Sequence, residues 1–192
     1  MPPGERALGK FTQALSDLRS GNSQSEAVNL LFEETYTDLK RLARERLSRN
    51  RPVTALHTTS LVHESYMRFI GAARLEIQDR GHFMVYAAKV MRSVVIDLVR
   101  RKSADRRGGG LKLTLGTEID NIVAQEEQVL QVHEALADLA KVDPELVEIV
   151  EMRYFAGLSV DEVAQHLGVS PRTVFRQWDK ARIVLLDALQ ER

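Results

Sequence analysis

The chain has 192 residues, no cysteine and a formal net charge of zero. That length accommodates one large or two small domains, each able to bury a core. The missing thiols exclude disulfides and thiolate metal sites, and with no apolar signal segment or span of about 20 residues the chain reads as a soluble cytoplasmic protein, away from any membrane. Pro2 to Gly4 reads as a loose terminus, followed by an amphipathic stretch from Phe11 to Leu18 and a break at Gly21-Asn22-Ser23. Ser25 opens a long helix running to about Arg46, with Ala27, Leu30, Leu31, Thr35, Leu39, Leu42 and Leu47 at roughly helical spacing and Pro52 marking its end. The next helix is expected from Thr59 to Ile70, with Leu61, Val62, Tyr66, Phe69 and Ile70 on its core face and Gly71 as its stop.

A polar loop around Asp79 to His82 then leads into one helix of about 25 residues, from Phe83 to about Arg107, roughly 37 Å long at about 1.5 Å per residue. Three glycines at 108 to 110 and weak periodicity to about Gln125 predict a flexible linker. Beyond Glu126, the residues Val129, Leu130, Leu136 and Leu139, then Val147, Ile149 and Val150, supply apolar faces for two helices. Asp143 is placed to cap the second, with Pro144 in its first turn. No strand or repeat is visible. The expectation is an all-α chain of two small helical domains joined by a flexible linker: an N-terminal extension over 1–24, a first domain over 25–107, the linker over 108–125 and a C-terminal domain over 126–192.

The end of the chain is the most specific. Ser159 and Glu162 form the S-x-x-E pattern of a capping box, in which each side chain satisfies the other residue's free backbone N–H. Val163, Ala164 and Leu167 share one face, and Gly168 stands where a left-handed residue would turn the chain. Ser170 is suited to cap a second helix and Pro171 to its first position. Along it Val174, Trp178, Ala181 and Leu185 point inward at helical spacing, leaving Arg172, Thr173, Arg176, Gln177 and Lys180 outward. This is the pattern of a helix-turn-helix, and those outward side chains are types that reach base edges and phosphates. The competing reading is a plain helical hairpin with a solvated basic face.

The zero net charge hides segregation. Lys40 to Arg51 holds six basic residues against Glu45, and Arg100 to Arg107 holds five against Asp105, whereas Glu118 to Glu151 carries ten acidic residues against Lys141. Basic surfaces thus alternate with an acidic connector, an arrangement expected to bind DNA weakly without a partner.

Two helical domains, a basic helix closing the first, a glycine-bearing linker and a terminal helix-turn-helix together resemble a bacterial RNA polymerase sigma factor of the extracytoplasmic-function type. The resemblance runs from about Phe11 to Leu189 and is carried by LVHESYMRF at 61–69, HFMVYAAKVMRSVVIDLVRRKSADRRGG at 82–109 and SPRTVFRQWDKARIVLLDAL at 170–189. It implies that core RNA polymerase, through its β′ clamp helices and β flap, and promoter DNA are the partners. It further implies that the first domain recognises and melts the minus-ten element and the last reads the minus-thirty-five element. Carried onto this chain, the minus-thirty-five contacts are Arg172, Thr173, Arg176, Gln177 and Lys180. The minus-ten contacts are Arg80 and His82 in the loop and Tyr86, Lys89, Arg92 and Ser93 on the long helix, using aromatic stacking and charge as single-strand binders do. Phe83 and Tyr86 also suit a core role.

One departure stands out. Where most such sigma factors open the helix at Thr59 to Ile70 with an acidic cluster that docks on β′, this chain reads LHTTSLVHE from Leu56 to Glu64, with Thr58, Thr59 and Ser60 in place of carboxylates. The chain resembles a subgroup that lacks the cluster and is controlled by Ser/Thr kinase phosphorylation. That resemblance points to Thr59 as the modified residue, with Thr58 and Ser60 as alternates, since a phosphate restores negative charge. The alternative is that Thr59 or Ser60 serves only to cap the helix.

Other classes find less support. No H-E-x-x-H spacing occurs, and the histidines at 57, 63, 82, 133 and 166 are scattered, so no catalysis, metal or cofactor is expected. The glycine run at 108–110 has neither the preceding strand nor the following Gly-Lys-Ser/Thr of a phosphate loop. A stand-alone helix-turn-helix regulator that binds an operator as a dimer explains the C-terminus but gives the long basic helix no role. A helical interaction protein that ignores DNA leaves Arg172, Arg176 and Lys180 unexplained.

Overall fold

In the computed structural model, residues 3–20, 24–49, 57–72, 75–108 and 117–190 are described. Among them every regular element is helical: α1 (Pro3–Ser20), α2 (Gln24–Arg49), α3 (Thr58–Ile70), α4 (Arg80–Gly108), α5 (Thr117–Val142), α6 (Pro144–Val150), a single π-helical turn (Glu151–Phe155), α7 (Val160–Leu167) and α8 (Pro171–Gln190). The all-α expectation holds. No described helix is long and apolar enough to cross a membrane.

Three boundaries differ from the sequence reading. The first helix begins at Pro3, before the apolar stretch that announces it. The fourth begins at Arg80, so Arg80 and His82 sit in a first helical turn and not in a loop; the Asp79 side chain accepts from the His82 backbone N–H at 2.8 Å and supplies the start signal. The predicted linker over 108–125 overlaps the start of α5. Residues 109–116 lie outside the described ones, and from Thr117 the chain is already helical.

α1 to α4 pack around aromatic side chains contributed by each. Phe69 of α3 meets Phe32 of α2 and Tyr86 of α4 edge to face, both at a centroid distance of 4.9 Å, while Phe83 lies 5.4 Å from Phe69 and 6.1 Å from Phe11 of α1. Phe83 is fully buried and Tyr86 half-buried, so the core role wins for the first and half wins for the second. A buried apolar cluster runs without a break from Phe11 through α4 into the C-terminal helices, as far as Ala181. The two halves expected as separate domains are therefore packed together.

The local chemistry of the C-terminal helices is as the sequence specifies. Asp143 caps α6, its carboxylate accepting from the Leu146 N–H at 3.3 Å. The capping box at α7 is complete: the Glu162 N–H donates to Ser159 Oγ at 3.2 Å and the Ser159 N–H to Glu162 Oε2 at 2.7 Å. Gly168 takes φ 65°, a left-handed conformation in which a Cβ would be strained, and so turns the chain into α8. Ser159→Ala removes one arm of the box and is expected to lower stability by about 1 kcal/mol in urea unfolding.

The π turn carries no such sequence signal. The Ala156 N–H bonds back to Glu151 O at 2.7 Å, five residues earlier, and the extra residue ends α6 without a cap. Arg153 Nη1 then donates to the Leu158 carbonyl at 2.7 Å and its guanidinium lies over the Trp178 ring, bracing α8 from the side away from its basic face.

Candidate nucleic-acid interface

α7 and α8 pack against each other across the three-residue turn 168–170. Ser170 Oγ accepts from the Thr173 N–H at 3.2 Å and lies 2.9 Å from the Thr173 hydroxyl, which fixes the first turn of α8. Val174 and Ala181 are buried on its inner face. Arg172 and Arg176 are exposed, and Thr173 and Gln177 are half-buried beside them. Lys180 is exposed but engaged: its ammonium donates to Asp143 Oδ2 at 2.9 Å and ties α8 to the start of α6. That bond holds the Asp143 carboxyl below its usual range, helped by the backbone donor of Leu146. Phe175, which the sequence reading passed over, is 56% exposed between the two arginines.

The six residues assigned to the first half do not form one open surface. Lys89 is exposed and Tyr86 presents only part of its ring. Arg80 pairs with Asp38 of α2 and lies over the Phe11 ring. Ser93 Oγ accepts from Arg68 Nη1 at 2.6 Å, while Arg68 Nη2 pairs with Asp97 at 2.8 Å. Arg92 and His82 are half-buried against the C-terminal half. Arg92 forms an ion pair with Glu151, whose side chain is 1% exposed. The Phe155 ring lies between two guanidiniums, with Arg46 at 4.1 Å and Arg92 at 5.1 Å from its centroid. His82 stands edge to face on His166 of α7 at 5.0 Å, with its Nδ1 buried and unpartnered. The sequence reading missed Glu151, although a carboxylate set among Leu146, Ile149, Val150 and Met152 was a signal that it faces a cation.

Burial pushes the His82 imidazole below its usual value, reinforced by His166 and Lys89 against the pull of Asp79 and Glu148. His133 on α5 is lowered in the same way by burial, then by Arg92 and Arg100, against Glu134 and Asp97. A histidine with a lowered folded-state pKa stabilises the fold fully above its unfolded value, near pH 6.5, and loses that contribution as pH falls through and below it. Glu151 works the other way: burial raises its carboxyl in spite of Arg92, Lys89 and Arg46, so its contribution is greatest at low pH and is lost as pH rises through the raised value. On acidification from about pH 7.5 to about pH 5.5 the melting temperature of a His82→Asn, His133→Asn variant is expected to rise relative to that of wild type, a difference from which the opposing Glu151 contribution cancels.

Around α3 the geometry bears on the cap reading of the hydroxyl cluster. The N-cap position falls on His57, which is extended and makes no side-chain cap, and α3 starts at Thr58. Thr59 and Ser60 lie inside the first turn and are exposed; neither caps the helix, and that turn contains no carboxylate. Beside them a groove of about 450 Å³ runs between α3 and α4, lined by His63, Glu64, Arg68 and Arg101 among others. No group of acidic or histidine side chains among the described residues is arranged to hold a metal.

Comparison with curated proteins and with solved structures gives no match. The family model described as ECF sigma factor matches residues 8–191. That span takes in the long basic α4 and the segment 61–69, both of which a stand-alone regulator leaves without a role. The chain belongs to the ECF sigma factor family, and is an alternative sigma factor that binds core RNA polymerase and promoter DNA and directs transcription initiation.

Proposed function

We propose that this sigma factor is switched on by a Ser/Thr protein kinase acting on Thr59. One observation carries the reading: Thr59 is an exposed hydroxyl in the uncapped first turn of a helix that has no carboxylate there. A phosphate would bring a charge of roughly −1.5 to −2 and three strong acceptors. It would sit against the free N–H groups and the positive end of the helix dipole. Arg68 on α3 is already engaged by Ser93 and Asp97, and Arg101 of α4 lines the same groove as Thr59; in this reading the new charge is taken up by a basic helix of the polymerase β′ subunit. Thr58, half-buried, and Ser60, exposed, are the alternates.

In the same reading, residues 25–107 melt and recognise the minus-ten element through Tyr86, Lys89, Arg92 and Ser93, with Arg80 and His82 at the start of α4. Residues 126–192 read the minus-thirty-five element through Arg172, Thr173, Arg176, Gln177 and Lys180, docked on the β flap. Run-off transcription with purified core polymerase tests the switch. Kinase-treated protein and Thr59→Glu are expected to transcribe at least about tenfold above untreated wild type, a factor worth about 1.4 kcal/mol of polymerase affinity, and Thr59→Ala is expected to stay at the basal level after kinase treatment. Equal transcription by untreated wild type and Thr59→Glu overturns it.

A further inference from the structure

We infer that the cavity enclosed by α2, α4, α5 and the π turn is a binding site for a small carboxylic acid with an apolar body. Its volume is about 250 Å³, far beyond the single-water voids that close-packed interiors contain. The lining has two parts. Leu42, Val95, Ile96, Leu136 and Phe155 make a buried apolar floor. Arg46, Arg92 and His133 make a polar side. Arg46 is 7% exposed, and its guanidinium and that of Arg92 stand 4.1 and 5.1 Å from the centroid of the one Phe155 ring, which keeps the two cations close together. His133 Nδ1 is buried and has no hydrogen-bond partner. The exposed Glu45, Gln128 and Tyr154 mark the mouth.

Neither water nor a hydrocarbon suits this lining. Water against the apolar floor lacks the polar partners that hold buried waters, and a hydrocarbon leaves the His133 nitrogen unsatisfied. A molecule that is apolar at one end and accepts hydrogen bonds at the other suits both parts. Two guanidiniums beside one space select a planar carboxylate, which accepts parallel N–H bonds from such a fork. Glu151 limits the charge of that head. Its carboxylate is 1% exposed, lies outside the cavity lining and pairs with Arg92. A monoanion can share the guanidiniums with it, whereas a phosphate dianion would stand beside a buried like charge. His133, kept uncharged at neutral pH by burial and by Arg92 and Arg100, adds a hydrogen bond to the head without adding charge.

Calorimetric titration of the full chain with benzoate, phenylacetate and isovalerate tests the site, with benzamide and acetate as comparisons. At least one of the three acids should bind saturably with a Kd of about 1 mM or tighter, the affinity open to a ligand of this size. Benzamide, which lacks the charge, and acetate, which lacks the body, should each bind at least about tenfold more weakly than the best acid. The acid should raise the melting temperature, and it should shift the imidazole resonances of His133, assigned by substitution. Val132→Phe, which sets a ring in the cavity from α5 without changing a charge, should weaken binding at least about tenfold while the helices persist by circular dichroism. No saturable binding of any acid by wild type up to about 10 mM, benzamide bound as tightly as benzoate, or unmoved His133 resonances would each overturn the inference without recourse to a variant. So would a folded Val132→Phe protein that binds as wild type does. The site uses no residue of the α3 groove, so its failure leaves the Thr59 switch as it stands.

Discussion

Phe69→Ala is expected to destabilise the protein by about 3–5 kcal/mol, the range for an aromatic side chain removed from a packed core. Phe69 is fully buried, and its ring is the meeting point of α2, α3 and α4, in contact with Phe32, Phe83 and Tyr86. Truncation therefore leaves a cavity with rigid aromatic walls, which collapse poorly around it. Set against a typical total stability of about 5–15 kcal/mol, the loss is a large share. Urea unfolding should show a midpoint shifted sharply downward; a change under about 1 kcal/mol would mean that the three helices do not depend on this ring. Since Phe69 seats α3 against α4, polymerase docking and minus-ten recognition should weaken together in the variant.

Arg172→Ala with Arg176→Ala is expected to abolish selection of the minus-thirty-five element while leaving polymerase binding intact. Both guanidiniums are exposed near the start of α8, where a recognition helix meets base edges, and neither has an internal ion pair among the described contacts. A base-reading arginine is worth about 1–3 kcal/mol, so each of the two should contribute roughly fivefold to 150-fold to affinity for the cognate element. If affinity falls equally for cognate and scrambled sequences, the arginines touch phosphates and Gln177 or Thr173 carries the readout. Lys180→Ala should cost less, because its ammonium already serves Asp143.

Much of this was legible because it is local. The capping box at Ser159 and Glu162, the left-handed Gly168, Pro171 at the head of α8 and Asp143 before Pro144 each depend on residues within a few positions of one another, and each forms as the sequence indicates. The start of α4 is set by the Asp79 cap, whereas the apolar periodicity of the helix begins only at Phe83. The beginning of α5 was hidden by the glycine run before it, although Ile119, Ile122 and Val123 fall at helical spacing. What the sequence does not disclose is pairing at a distance. Nothing near Arg92 announces Glu151, and nothing near His82 announces His166; those partners are brought together by how the halves pack. For the same reason Arg92 and His82 were expected to be open surface, when in the free chain they lie in a seam.

The Phe155 ring between Arg46 and Arg92 sets how the seam and the promoter respond to ionic strength. Guanidinium groups stay charged across the accessible pH range, and their attraction to an aromatic face in a desolvated pocket is screened little by mobile ions. Phosphate contacts, in contrast, release counterions and weaken steeply as ions are added. Raising the salt concentration should strip DNA from this protein well before it parts the two halves, so salt acts on promoter release and spares the packing between them.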